Sequence, residues 1–137
     1  MDKSPKEIVE EGMYAKDQFS KWLGIEIVSV ESGSCILKME IKKEMLNGFE
    51  IAHGGITYSF ADSALAFASN SMGMHAVSIE TSISHTSKVV LGDILTARTK
   101  RVNQTRKFAI YSIDIRNQED VLVADFKGTV YFTGKEW

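Results

Sequence analysis

Two hydrophobic periods divide the chain. Between about residues 54 and 72, Ile56, Phe60, Ala61, Ala64, Leu65, Phe67, Ala68 and Met72 put apolar side chains well around a helical axis, and Gly73 ends the run. A helix that apolar is expected to be enclosed by the rest of the fold. From Val77 onward the period is two: Val77, Ile79, Thr81, Ile83 and His85 alternate with Ser78, Glu80, Ser82, Ser84 and Thr86. Further strands are predicted over 94–102, 107–116 and 121–132, punctuated by Leu91-Gly92-Asp93, Asn103-Gln104-Thr105 and Asn117-Gln118-Glu119-Asp120. The short polar connectors predict neighbouring antiparallel strands in a meander.

The first third of the chain has its own signals. Ser4 as N-cap, Pro5 at the first helical position and Glu7 closing a capping box predict a leading helix running to about Trp22, broken by Gly24. Ile25, Ile27, Val28 and Val30 lead to the turn Glu31-Ser32-Gly33, after which Cys35, Leu37, Met39 and Ile41 alternate with Ile36, Lys38, Glu40 and Lys42 as a second strand. Residues 43–52 are irregular, with Asn47-Gly48 as a turn signal. Two strands, one long apolar helix and four more strands make an α+β fold. A curved antiparallel sheet wrapped around the helix would bury it, whereas a flat sheet would leave half of it wet.

Composition narrows the function without naming it. The 137 residues fit one domain, 1–137, and a formal net charge of -2 with 25% charged residues gives no reason to expect a nucleic-acid partner. Cys35 is the only cysteine, so no intrachain disulfide can form and a reducing compartment is the simpler expectation. The charged start Met1-Asp2-Lys3-Ser4 lacks the apolar core of a signal peptide, and the apolar stretch around Asp62 holds too many polar residues to span a bilayer. These features together predict a cytoplasmic protein with no membrane anchor.

Asp62 is the only formally charged residue between His53 and His75. It is either a structural helix carboxylate bonded to strand backbone or a group with a chemical task. His53-Gly54-Gly55 opens the same helix; it is either a turn alone or a place where backbone amides hold a developing oxyanion. If both act in one reaction, spacing sets a condition. Seven residues separate Gly55 from Asp62, about 10 Å along a helix, too far for both to meet one carbonyl. The carboxylate should then come from a second copy whose helix runs antiparallel, which implies a two-fold dimer. Burial in an apolar segment should raise the proton affinity of Asp62 unless a hydroxyl offsets it. No pair among His53, His75 and His85, with or without Asp62, has the local spacing of a zinc site, so no metal is expected.

The run Asn47-Gly48-Phe49-Glu50-Ile51-Ala52-His53-Gly54-Gly55, followed by Phe60-Ala61-Asp62-Ser63-Ala64, resembles the hotdog-fold acyl-CoA thioesterases of the PaaI-like type. Val77-Ser78-Ile79 and Gly92-Asp93-Ile94-Leu95-Thr96-Ala97 continue the resemblance, which covers about residues 22–132. It implies hydrolysis of an acyl-CoA with no separate cofactor, in a dimer commonly doubled to a homotetramer. Asp62 would be nucleophile or general base and the Gly54 amide would polarise the thioester carbonyl. Asn47 would orient substrate or water, His53 would support the thioester end, and Ser78 would assist near the aspartate. Gly55 is a further candidate for substrate binding. Lys88, Arg101, Arg106 and Lys107 are candidates for the CoA phosphates, or solvated surface charges. Phe49, Tyr58, Phe60 and Phe67 suit an aryl-acetyl or medium-chain acyl group, and core packing explains them equally well. A non-catalytic acyl-CoA sensor and a hydroxyacyl dehydratase are the competing readings.

Overall fold

The computed structural model describes residues 2–137. Six strands form one antiparallel sheet: β1 Glu26–Glu31, β2 Ser34–Glu40, β3 Met74–His85, β4 Ile94–Gln104, β5 Phe108–Arg116 and β6 Leu122–Glu136, in the order β1-β2-β4-β5-β6-β3. The long helix, Gly54–Asn70, packs inside the curve of this sheet. Cys35, Leu37, Met39, Tyr111, Ile113, Phe126 and Val130 meet Phe60, Ala64, Leu65, Phe67 and Ala68 in a closed core. This is the expected α+β hotdog arrangement. One row of the long helix stays only half-buried, Tyr58, Asp62 and Ala66, spaced four apart so that they share a face.

The meander holds for β4, β5 and β6 and fails for β3. That strand pairs with β6 and forms the far edge of the sheet, its register running from Met74↔Glu136 to His85↔Ala124. The following segment therefore crosses beneath the start of the long helix to reach the centre of the sheet. Backbone bonds fix the crossing: Thr86 N–H to Val123 O at 2.9 Å, Ala52 N–H to Val89 O at 2.7 Å and Ile41 N–H to Asp93 O at 2.9 Å. Asp93 holds it from within, accepting from Val90 N–H and from Gln118 Nε2 at 2.9 Å each.

The leading helix is also interrupted. Its capping box forms as expected, with Glu7 N–H donating to Ser4 Oγ at 3.1 Å and Ser4 N–H to Glu7 Oε1 at 3.3 Å. The helix is wide over Glu7–Met13, tightens over Tyr14–Lys16 and stops at Asp17, whose backbone (φ -92°, ψ 88°) is no longer helical. Asp17 instead caps a new short helix, α1 (Gln18–Leu23), by accepting from Ser20 N–H at 2.9 Å. A short polar side chain that satisfies an orphan amide competes well with helix continuation. The long helix is α2. Gly24 ends α1 at φ 75°, a conformation glycine adopts without strain.

Candidate active site

His53 caps α2 with its side chain: Gly55 N–H donates to His53 Nδ1 at 3.2 Å. The amide of Gly55, a candidate for binding substrate, is thus engaged. The Gly54 N–H has no acceptor among the described residues and is the donor left at this helix end. Asn47 stands nearby in the loop before α2. Its Oδ1 accepts from Phe49 N–H at 2.8 Å and Ile51 N–H at 3.4 Å, which fixes the side chain and leaves Nδ2 as a donor. Asn47, Gly54, Thr57, His85 and Lys88 line one cavity of about 430 Å³. Three sequence candidates, Asn47, Gly54 and Lys88, therefore meet at the amino end of α2.

Asp62 lies elsewhere on the same helix. It lines a separate cavity of about 260 Å³ with Leu65, Ala66, Ser69, Ala76, Val77, Ser78 and Val130. Ser78, on β3, is thus brought beside Asp62 within one chain, while Gly54 and Asn47 are not. Burial pushes the Asp62 carboxyl above the ordinary carboxylate range, and the negative charge of Asp17 adds to the shift. Asp17 reaches that position because Ser20 Oγ, which donates to Asp17 Oδ2 at 2.6 Å, also lies 2.8 Å from Ser63 Oγ, tying the α1 cap to α2. Ser63 faces α1 and offers Asp62 no hydroxyl.

The basic candidates divide. Lys88 belongs to the Gly54 cavity, but Arg106 and Lys107 sit on the β4–β5 hairpin, beside Met72, Met74 and Tyr131 at the other end of α2. Arg101 turns toward Met72, with Nη1 2.9 Å from its sulfur. Among the aromatic candidates, Phe60 and Phe67 are fully buried in the core and Phe49 is 85% exposed, and none of the three lines the Gly54 or the Asp62 cavity of one chain. Tyr58 remains, half-buried one turn before Asp62, its hydroxyl bonded to Thr81 Oγ1. Cys35 is buried and its thiol is pushed up to about 12 by burial, which removes it as a nucleophile. Its place is in the core.

His85 was not apparent from sequence as anything but a strand residue. It ends β3 against the first turn of α2, and only the β3–β6 pairing across the sheet brings it there. The described residues contain no group of three or more His, Cys, Asp or Glu arranged to hold a metal ion, and no helix long and apolar enough to cross a membrane.

Known proteins share this sequence pattern and this fold over most of the chain. The family model of the thioesterase superfamily matches residues 49–124. A putative esterase of Archaeoglobus fulgidus is 38% identical over 131 residues, covering 96% of this chain and 85% of its own. The acyl-coenzyme A thioesterase PaaI of Escherichia coli is 38% identical over 122 residues, 89% of this chain and 87% of its own. The solved E. coli PaaI structure superposes with a TM-score of 0.90 over 93% of this chain and 92% of that one, at 36% identity. A Streptococcus mutans protein solved bound to acetyl CoA superposes with a TM-score of 0.80 at 30% identity, over 82% of this chain and 91% of that one.

Proposed function

Because the chain belongs to the thioesterase superfamily, we propose that it hydrolyses an acyl-CoA to the free acid and CoA at sites shared between two copies. One observation carries the shared-site reading. The free amide of Gly54 and the carboxylate of Asp62 open into different cavities of one chain, eight residues and about 12 Å apart on the same helix. Two copies with antiparallel α2 helices would bring each Gly54 to the other's Asp62. The surface open to that contact is the outer edge of β3, a 12-residue edge strand with Val77 and Ile79 more than half exposed. Unprotected edges of that length commonly pair with another chain.

In this arrangement the Gly54 N–H donates to the thioester oxygen as it gains negative charge. Such a donor contributes about 3 kcal/mol to transition-state stabilisation in enzymes where one has been removed. Asn47 Nδ2 orients the thioester or the attacking water, and His53 keeps the helix end formed. Asp62 of the second copy attacks the carbonyl carbon or removes a proton from water that does so; its raised proton affinity makes it a stronger base than an ordinary carboxylate. The C–S bond breaks, its electron pair leaves on sulfur, and CoA departs as the thiol after protonation; where Asp62 itself has attacked, water then cleaves the acyl–Asp62 anhydride, releasing the acid and restoring the carboxylate. Ser78 supplies a hydroxyl beside Asp62.

Antiparallel helices overlapped in this way leave the second copy's Arg106 and Lys107 beyond the thioester, on the side where the CoA phosphates extend, and Lys88 at the cavity mouth. The cavity beside Asp62, walled by Leu65, Ala66, Ala76, Val77 and Val130, suits an aryl-acetyl or medium-chain acyl group. The test is thiol release from a panel of acetyl, medium-chain and aryl-acetyl CoA thioesters. The wild-type protein should release CoA and Asp62→Asn should not. Tight acyl-CoA binding without thiol release would make the protein a sensor and end the hydrolase reading.

A further inference from the structure

The catalytic roles assigned to Gly54, Asn47, His53, Asp62 and Ser78 leave His85 unused, although it is the side chain packed most closely on Gly54. Its Nε2 lies 2.8 Å from Thr57 Oγ1, and Thr57 Oγ1 donates to the Gly54 carbonyl at 3.2 Å. The imidazole also fills the space above Gly54: a Cβ built there would lie 3.2 Å from His85 Cε1. His85, Thr57 and Gly54 share the cavity wall with Asn47 and Lys88. Thr57 has one proton. When it goes to the Gly54 carbonyl, the Thr57 oxygen becomes an acceptor and His85 Nε2–H is its donor, so a chain of two hydrogen bonds runs from imidazole to the Gly54–Gly55 peptide, which is joined through the Gly54 Cα to the Gly54 N–H.

That peptide needs external support. α2 opens with two glycines, the residues that lose most backbone freedom on ordering, at a helix end where the first amides have no intrahelical partner. An amide that stabilises developing charge is effective only if it is already aimed when the charge appears. His53 restrains Gly55 from one side. We propose that His85 is a positioning residue of the thioester site: through Thr57 it holds the carbonyl of the Gly54–Gly55 peptide whose N–H His53 holds, and so fixes the Gly54 Cα from which the adjoining Gly54 N–H is aimed. The inference rests on Gly54 as the oxyanion donor. It also accounts for glycine at position 54, since a side chain there would press on the ring that holds it.

The variants His85→Ala, His85→Gln, Thr57→Val and the double variant His85→Ala/Thr57→Val are to be compared in the intact protein with acyl-CoA substrates. Misaiming the donor should lower kcat by about tenfold to a hundredfold with KM changed far less. His85→Gln, whose amide N–H can reach Thr57, should recover most of the loss. The double variant should be no worse than the poorer single one, because both cut the same chain of bonds. Melting temperature of the two His85 single variants should stay near wild type, since His85 is exposed whereas Thr57 is buried. Wild-type kcat in both His85→Ala and Thr57→Val, a change confined to KM, or additive losses would overturn the proposal. If wild type hydrolyses acyl-CoA and Asp62→Asn does not, while His85→Ala is unimpaired, only the positioning role fails. If wild type releases no thiol, the hydrolase reading fails and takes this inference with it.

Discussion

Gly128 on β6 faces Leu65 of α2 at close quarters, and alanine there should be costly for a reason that can be measured. A Cβ at residue 128 would lie 2.5 Å from Leu65 Cδ2 and 3.1 Å from both Leu65 Cδ1 and Phe126 Cε1. Ordinary contact begins near 3.4 Å, so the Leu65 methyl must retreat by close to an ångström. Leu65 is 1% exposed and Phe126 is equally enclosed, so the Leu65 methyl can retreat only against packed neighbours or into the Asp62 cavity that it lines. Overpacking of this kind costs about 1–3 kcal/mol, which for a chain of this size lowers the melting temperature by roughly 3–12 °C. Leu65→Ala alone should cost about 2–5 kcal/mol through the cavity it leaves. In Gly128→Ala/Leu65→Ala the new methyl enters that space, so the double variant should be more stable than the sum of the two losses predicts. Leu65 also lines the Asp62 cavity, so Gly128→Ala should lower kcat/KM for the bulkier acyl groups first. Thermal and urea unfolding at fixed protein concentration provide the assay. A neutral Gly128→Ala, or strict additivity in the double variant, would refute the close approach of β6 to α2.

The raised proton affinity of Asp62 predicts opposite effects on stability and activity. Because the folded state binds this proton more tightly than the unfolded chain, the group favours folding at low pH and loses that contribution as pH rises through its folded-state value. Asp62→Asn should therefore melt higher than wild type at neutral pH, converge with it in acid, and release no thiol; a lower melting temperature at pH 7 would contradict the desolvation of Asp62. The acid limb of kcat/KM should lie above the ordinary carboxylate range. Asp17→Asn, which keeps a capping side chain but removes the charge, should move that limb to lower pH, and an unmoved limb would remove Asp17 as a contributor. Cys35, buried with its thiol pushed up to about 12, should resist thiol reagents in the folded protein and react fully only after unfolding. Rapid labelling under native conditions would show the core open.

Much of the fold was legible because it is written in local periodicity. The 3.6-residue pattern from Ile56 to Met72, the alternation in each strand and the Ser4–Glu7 capping box all act over a few residues, and each forms as expected. The position of β3 was not legible. Its pairing with β6 is decided by partners some 40 to 60 residues away, and the turn residues after Thr86 look the same whether the chain folds back or crosses over. The same long-range pairing hid His85, whose neighbour Thr57 is 28 residues away in sequence. Asp17 was hidden for another reason: a single polar residue in a helical pattern carries little signal until its side chain is seen to cap Ser20. At the site, Asp62 stood out because charge is rare in an apolar segment, and Asn47, Gly54 and Lys88 do converge. Arg106 and Lys107 show the opposite case, since basic residues in a turn give no indication of which end of the molecule they occupy.

Subunit complementation tests the shared site most directly. Asp62→Asn and Asn47→Ala proteins, each inactive alone, are mixed under conditions where native mass spectrometry confirms full exchange of subunits. If Gly54 and Asn47 of one copy work with Asp62 of the other, each mixed dimer has one intact site and one doubly damaged site. With half of all dimers mixed, activity should return to about a quarter of the wild-type level. Confirmed exchange with no return of activity would mean that each site is built within a single chain, and the pairing of Gly54 with a second copy's Asp62 would be wrong.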